Sequence, residues 1–429
     1  MKKSPIVMRR RYLNKAIFIL RFFGILTYDS SASMHLKFLN NFMRLFSMTI
    51  VIIFVSTMIA DLIVNYDDLM IFADDTCFIV GWFLAFSKEQ ITYSKRHQIY
   101  QLINDIHNPV DVLSQSSDLE VLVNVKECML FEAIDCYILM SFVWILIAII
   151  NGLSAIVGQL PSRAIFPFDT TTSPYYQIAF CIQAYNVVYH LVNLICVEFI
   201  SLQLIRYTTL QLRVLSFNYK NCKGDSKKIS SFNSIRKTID AITIYNLFDI
   251  EDEQREITNF AAFENKEINN IDNSFNWRFK TCINHHQRLI RIVKDLNETF
   301  RNSLMVQLGG SLLIICLNGY LAVMFPHDKK ALIRAVMYLL SGFTQLLYWC
   351  AFGNQLKFQA DHLTTGQWMC GWEKNYDRGI KNLVTTAMIK TMQPLEIRAG
   401  GLFVLTMETF ISILKSSYSV FILLTTVTD

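Results

Sequence analysis

The stretch AGGLFVLTMETFISILKSSYSVFILLTTV, Ala399–Val427, decides how the chain is read. About 20 mostly apolar residues cross the hydrocarbon core of a bilayer as a helix, and this run exceeds that length. Its polar residues fall in phase. At 3.6 residues per turn, Ser412, Ser416, Ser419, Leu423, Thr426 and Val427 share one stripe, while Phe403, Leu414, Phe421 and Leu424 lie on the apolar side. A membrane helix with one hydroxyl-lined strip turns it toward other helices or water, not toward lipid. Two readings stay open here. The strip lines an ion path closed near its end by Leu423 and Val427, or it is a packing seam, since Ser and Thr also mark close helix contacts.

The rest of the composition fits a membrane chain. Charged residues make up 17% of the sequence, against about 25% in soluble domains. The net charge of +5 does not mark a nucleic-acid binder, because the basic residues flank apolar spans instead of forming a basic domain. None of the 10 Cys falls in a short loop placed outside, so no extracellular disulfide framework is expected. Ala16–Leu26 is interrupted by Arg21 and lacks a small-residue cleavage site. It reads as an amphipathic, interfacial lead-in, not a cleavable signal.

Seven apolar spans are expected: Phe38–Val64, Leu69–Tyr93, Cys128–Ile150, Tyr175–Arg206, Ser303–Phe325, Ala331–Phe352 and Ala399–Val427. Basic residues gather before the first span and in the second, fourth and sixth connectors, which places the N-terminus in the cytosol and the C-terminus outside. Lys329 and Lys330 in the fifth turn are the one discordant pair. The Asn297-Glu298-Thr299 sequon then faces the cytosol and is expected to stay unmodified.

The fold class is thus an all-α membrane protein of seven transmembrane helices with a cytosolic helical anchor layer. Residues 1–37 form a cytosolic N-terminal segment and 38–206 hold spans one to four. The 207–302 connector combines a mobile acidic insertion, Phe248–Asn273, with a basic helix over Phe279–Phe300. Spans five and six occupy 303–352, 353–398 holds a cytosolic anchor helix, and 399–429 holds the pore-lining span. Within the anchor, Tyr376–Gln393 reads as an amphipathic helix with Ile380, Leu383, Val384, Ala387 and Met388 on its apolar face, ended by Pro394.

Three stretches resemble the insect odorant receptors. They are TMETFISILKSSYSVFILL with Glu408 and the Lys415-Ser-Ser-Tyr-Ser run, CAFGNQL (Cys350–Leu356) followed by WMCGW (Trp368–Trp372), and FPFDTTTSPYYQIAFCIQAY (Phe166–Tyr185). The chain lacks the Gln-Phe ending of gustatory receptors and the Ser/Cys-rich linker of the shared co-receptor, so it is similar to an odorant-specific tuning subunit. The resemblance implies a tetrameric ligand-gated cation channel, with co-receptor subunits as partners around one pore, in the plasma membrane of olfactory sensory neurons. It carries the family's hydrophobic constriction onto Leu423 and Val427, in agreement with the stripe. Membrane lipid and permeant cations complete the expected partners.

The family's ligand site lies in the outer half of spans two, three, four and six, and a small volatile apolar odorant suits an aromatic, mostly hydrophobic pocket. The expected lining is Ala73, Thr76, Cys77 and Val80 from span two, and Tyr137, Met140, Trp144 and Ile147 from span three. Span four adds Phe180, Gln183 and Val187, and span six Ile333, Val336, Met337 and Tyr338. Tyr137, Met140 and Trp144 fall on family pocket positions, with Trp144 the leading choice.

No catalytic residues, cofactor or metal are expected. Cys282, His285 and His286 match ligand types without completing a shell, and neither a phosphate loop nor a nucleophile elbow occurs. A gustatory-type channel is the main alternative. A G-protein-coupled receptor needs the opposite orientation, and a transporter needs a repeat that is not seen.

Overall fold

The computed structural model describes residues 11–28, 32–67, 69–116, 118–223, 260–268, 274–324, 329–374 and 378–428. Its helices are α1 (Arg11–Phe22), α2 (Met34–Val64), α3 (Leu69–Ser94), α4 (Arg96–Leu113), α5 (Leu119–Ile147), α6 (Leu153–Val157), α7 (Tyr175–Lys220), α8 (Asn265–Ile268), α9 (Phe275–Met324), α10 (Lys329–Trp368), α11 (Arg378–Thr391) and α12 (Met407–Thr428). A two-stranded antiparallel hairpin, β1 (Arg398–Ala399) and β2 (Phe403–Val404), stands before α12.

Each of the seven apolar stretches holds a helix, and among the described residues five helices are long and apolar enough to cross a membrane by length and composition. Three overshoot it. At 1.5 Å per residue, the 46, 50 and 40 residues of α7, α9 and α10 run to roughly 60–75 Å, about twice the hydrocarbon thickness. The boundary expected at Arg206 is therefore not a structural one: α7 continues to Lys220 without a break. Likewise the basic helix is continuous with the fifth span.

The extra lengths of α7, α9 and α10 meet α1, α4 and α11 at one end of the bundle, called here the anchor end. The main hydrophobic core sits there. It takes in Leu13 and Leu20 from α1, Ile99, Ile103 and Ile106 from α4, Leu204 and Leu212 from α7, Leu289, Val293 and Leu296 from α9, and Val384 from α11. Each follows a helical repeat, as the stripe Ile99, Leu102, Ile103, Ile106, Val110, Leu113 illustrates. Burying such side chains from water stabilises by about 1.5–3 kcal/mol each. Lipid tails are as apolar as Leu, so the far end lacks this driving force, and its buried clusters are small.

Several local signals explain the element ends. The Asp118 carboxylate accepts from the N–H groups of Glu120 (2.9 Å) and Val121 (3.2 Å), capping α5. The amphipathic lead-in docks on the protein's own α7, α5 and α2 as α1, where the Glu132 carboxylate accepts from the first-turn N–H of Leu13 at 3.2 Å. The sequon residue Asn297 clamps the hairpin: its amide donates to the Glu396 carbonyl (2.9 Å) and accepts from Arg398 N–H (2.7 Å).

Two further expectations differ from the structure. The last span starts at Met407, not Ala399. Gly400 and Gly401 take positive φ of 62° and 79°, which suits a tight hairpin turn, so Phe403 lies on a strand. Part of the acidic insertion is also docked. Ala261 and Phe263 are buried, and the Asn218 side chain holds the Ala261 backbone at both N–H (2.8 Å) and carbonyl (2.7 Å). Residues 248–259 and 269–273 lie outside the described residues.

Candidate ligand site and gate

The hydroxyl stripe faces away from its own bundle. Ser412, Ser416 and Ser419 are exposed, and Leu423 is 61% exposed. Thr426 and Val427 lie on α12, with side chains outside the described set. The opposite face is the one that packs. Phe410 meets Phe343 of α10 edge-on at 5.1 Å, and the Cys316 thiol of α9 donates to the carbonyl of buried Ser417 at 3.3 Å. Ser412, Ser416 and Ser419 therefore do not form a packing seam within the subunit. Ser416 and Ser419 return their hydroxyls to carbonyls four residues back at 3.0 Å. Glu408 is exposed.

At the far end, five helices converge around Trp82. On one side Phe54 and Met58 of α2, Phe78 of α3, Ile182 of α7 and Tyr338 of α10 pack with it. On the other side stand Val143 and Ile147 of α5 with Val187 of α7. The rings interlock edge-on, Phe54–Trp82 at 5.2 Å and Phe78–Tyr338 at 5.4 Å. Below Trp82 the lining turns polar. His190 lies 4.3 Å from its ring, and the His190 Nδ1 pairs with buried Glu89 at 3.0 Å.

The expected lining divides. Ile147, Val187, Met337 and Tyr338 are buried or half-buried, with Ile147, Val187 and Tyr338 in the two groups meeting at Trp82. Ala73 and Cys77 are buried against Leu321 and Ala335. Thr76 donates to the Phe72 carbonyl at 2.6 Å, Val80 is half-buried, and the Phe180 ring lies tilted beside Tyr176 at 6.1 Å. The Gln183 amide is committed to the backbone of Ser162, which it grips at 2.9 and 3.1 Å. Met140 packs on the anchor core.

Tyr137 (62% exposed) and Trp144 (59%) point outward, as do Ile333 (50%) and Val336 (48%). Tyr137 meets Tyr12 of α1 at 5.7 Å, at the anchor end. Tyr137, Met140 and Trp144 share a helical spacing, but the buried phase of α5 runs through Cys136, Val143 and Ile147. In a span apolar all round, period alone does not say which face is inside. Packed at Trp82 are side chains outside the expected lining, Phe54, Met58, Phe78 and His190. Pairs of large side chains four apart, Phe54/Met58 and Phe78/Trp82, were the available signal.

Between this site and α12 lies a buried polar junction. Lys88 of α3 pairs with Glu198 of α7 and donates to Gln307 of α9. Glu198 also accepts from Gln345 at 3.0 Å and from the Trp349 indole, both on α10. Gln307 in turn donates to Ser311 at 2.7 Å. A second pair, Arg206 with Asp135, ties α7 to α5, with Gln203 donating to the same carboxylate at 3.1 Å.

Two clefts of about 590 and 550 Å³ open at the anchor end around Arg288. Their lining of Asp105, Glu264, Arg288 and Arg291 is polar and unsuited to an apolar volatile. Beside them Glu267 accepts from His285 at 2.8 Å. Burial raises this carboxyl, but bonds from His285 and from the N–H groups of Phe263 and Glu264 outweigh it and hold Glu267 below the ordinary value.

A multi-spanning helical bundle with an apolar aromatic site at one end and an outward-facing hydroxyl helix is the architecture of a membrane receptor. The chain matches the 7tm odorant receptor family over residues 68–418 and belongs to that family. It is 27% identical over 187 residues to odorant receptor 10 of Aedes albopictus, covering 42% of this chain and 47% of that one. The match thus spans about half the length of that relative. Odorant receptor 47b of Drosophila melanogaster is 22% identical over 354 residues, 80% of this chain and 75% of its own. The odorant receptor coreceptor of Aedes aegypti is 22% identical over 302 residues, 62% and 63% of the two chains. In fold, the insect olfactory receptor OR5 from Machilis hrabei in complex with eugenol superposes with a TM-score of 0.72 at 14% identity, covering 97% of this chain and 98% of that one.

Proposed function

We propose that this chain is the odorant-binding subunit of a heteromeric, odorant-gated, non-selective cation channel in the plasma membrane of olfactory sensory neurons. Co-receptor subunits complete a tetramer in which four terminal helices enclose one pore. The observation that carries this reading is the outward face of α12: Ser412, Ser416, Ser419 and Leu423 are exposed on one stripe, as a shared axis requires. The anchor end lies in the cytosol and the C-terminus outside, following the basic residues.

The odorant occupies the interlocked aromatics around Trp82. Binding favours opening only through contacts that differ between the two states. The rings there adjoin α3 and α7, which the Lys88–Glu198 pair joins to α9 and α10. Those two helices hold α12 at Ser417 and Phe410. Shifting them moves the apolar collar at Leu423 and Val427, and a collar of that kind closes a pore by dewetting.

The test is expression with and without a co-receptor, recording current against a chemically broad panel of volatiles. Current that requires both the co-receptor and a volatile supports the reading. Absence of any agonist-dependent cation current from a surface-expressed complex overturns it.

A further inference from the structure

Tyr93, one residue before the end of α3, has two guanidiniums on its ring. Arg44 of α2 lies 3.0 Å from the ring centroid and Arg96, the first residue of α4, 4.4 Å from it. Neither forms an ion pair with a carboxylate among the described residues. Among the described residues, the hydrogen bonds they make are from Arg44 to the Gln90 side chain at 3.5 Å and from Arg96 to the Tyr93 carbonyl at 2.8 Å. The Arg96 Nε is buried with no acceptor. Two adjacent cations with a buried unpaired donor are unfavourable unless an anion completes them.

The site is built rather than incidental. Gly24, at φ 78°, lets the turn after α1 press on α2, where a Cβ would meet the Arg44 Cβ and the Asn40 carbonyl, each at 2.6 Å. Asn40 locks that turn by donating to the Leu26 carbonyl at 3.0 Å. Arg44 is therefore held from behind by backbone. On α2 the flanking Leu45 and Phe42 are exposed apolar side chains, a surface for acyl chains.

We infer that Arg44 and Arg96, with Tyr93 between them, bind the headgroup phosphate of an anionic membrane phospholipid in the leaflet at the anchor end. A guanidinium matches phosphate through two parallel N–H bonds, and basic groups at a membrane surface attract anionic lipid. The neighbouring apolar face selects a lipid over a free phosphate. The inference rests on the membrane-receptor reading but not on gating, because binding is measured without current.

The full chain, purified as the assembly it forms and placed in phosphatidylcholine nanodiscs, is titrated with phosphatidylinositol 4,5-bisphosphate, and separately with soluble inositol 1,4,5-trisphosphate. The expected result is at least tenfold preference for the anionic lipid over added phosphatidylcholine. Arg44→Gln with Arg96→Gln weakens lipid binding about tenfold or more. Arg44→Lys with Arg96→Lys keeps the charge, elutes at the parent size and loses about threefold. Unchanged lipid affinity in the Lys pair overturns the site even if the Gln pair fails to assemble. Soluble trisphosphate binding as tightly as the lipid overturns the lipid assignment.

Discussion

The carbonyl oxygen of Leu405 occupies the space that a Cβ on Gly353 would fill, so the chain enters its terminal helix pressed directly on the backbone of α10. On the other side Gly400 donates to the Arg301 carbonyl of α9 at 3.0 Å and accepts from Arg301 Nε at 3.1 Å. The start of α12 is thus clamped between two helices that extend into the anchor core. Replacing Gly353 with Ala forces backbone apart, and overpacking of this kind costs about 1–3 kcal/mol. The expected outcome is a lower melting temperature for the detergent-solubilised assembly, read by size-exclusion after heating. An unchanged profile would mean that the contact gives way freely.

Leu423 sits on the exposed stripe, and the gate reading assigns it to the pore collar. Leu423→Ser makes that collar wettable. Cells expressing the variant with a co-receptor are expected to carry basal cation current without odorant. If basal current, conductance and ion selectivity all match the parent, the collar lies elsewhere.

Trp82 joins the two far-end clusters, whereas Trp144 faces outward. Trp82→Ala removes aromatic contacts worth about 0.5–1.5 kcal/mol per pair beyond the buried area, and is expected to shift agonist potency about tenfold or more. Trp144→Ala is expected to shift it less. Dose–response curves for both variants at matched surface expression decide the order, and the reverse ranking would move the ligand site outward.

Lys88 and Glu198 are both fully buried. Removing one partner leaves an uncompensated charge, at a cost of about 3–5 kcal/mol, while replacing both by neutral groups is far milder. Glu198→Gln alone is expected to lose surface expression, and Lys88→Met with Glu198→Gln to regain part of it. Surface biotinylation makes the comparison. No recovery in the double variant would show that the charges themselves are required.

The depressed Glu267 carboxyl predicts how the 260–268 strap responds to acid. A folded value below the unfolded one contributes stability above the unfolded value, near 4.3, and loses it as pH falls through the folded value. Trp277 reports the strap, since Phe260 lies 5.9 Å from its ring. Hydrogen exchange over 260–268 is expected to be faster in Glu267→Gln than in the parent at pH 7, with the gap closing below about pH 4. An equal gap at every pH would remove the carboxylate from the account.

Local chemistry was enough to place the apolar spans and the anchor helix α11, but not α4, which lies in a stretch read only as a connector. Apolar length set the spans, Pro394 marked a helix end, and the serine stripe of Ser412, Ser416 and Ser419 was legible from period alone. So was the apolar face of α11, because that face is buried from water and its opposite side is polar. The far-end site was not legible in the same way. On a helix surrounded by lipid the inside and outside faces are both apolar, so Trp144 and Ile147 read alike although only Ile147 is buried.

What only the tertiary structure decided are the contacts between residues far apart in the chain. Asn218 grips Ala261, Arg44 and Arg96 meet on Tyr93, and Leu405 rests on Gly353. Period and composition report how one segment partitions between water, lipid and protein. They carry no information on which segments become neighbours, and these contacts exist only after the helices have met.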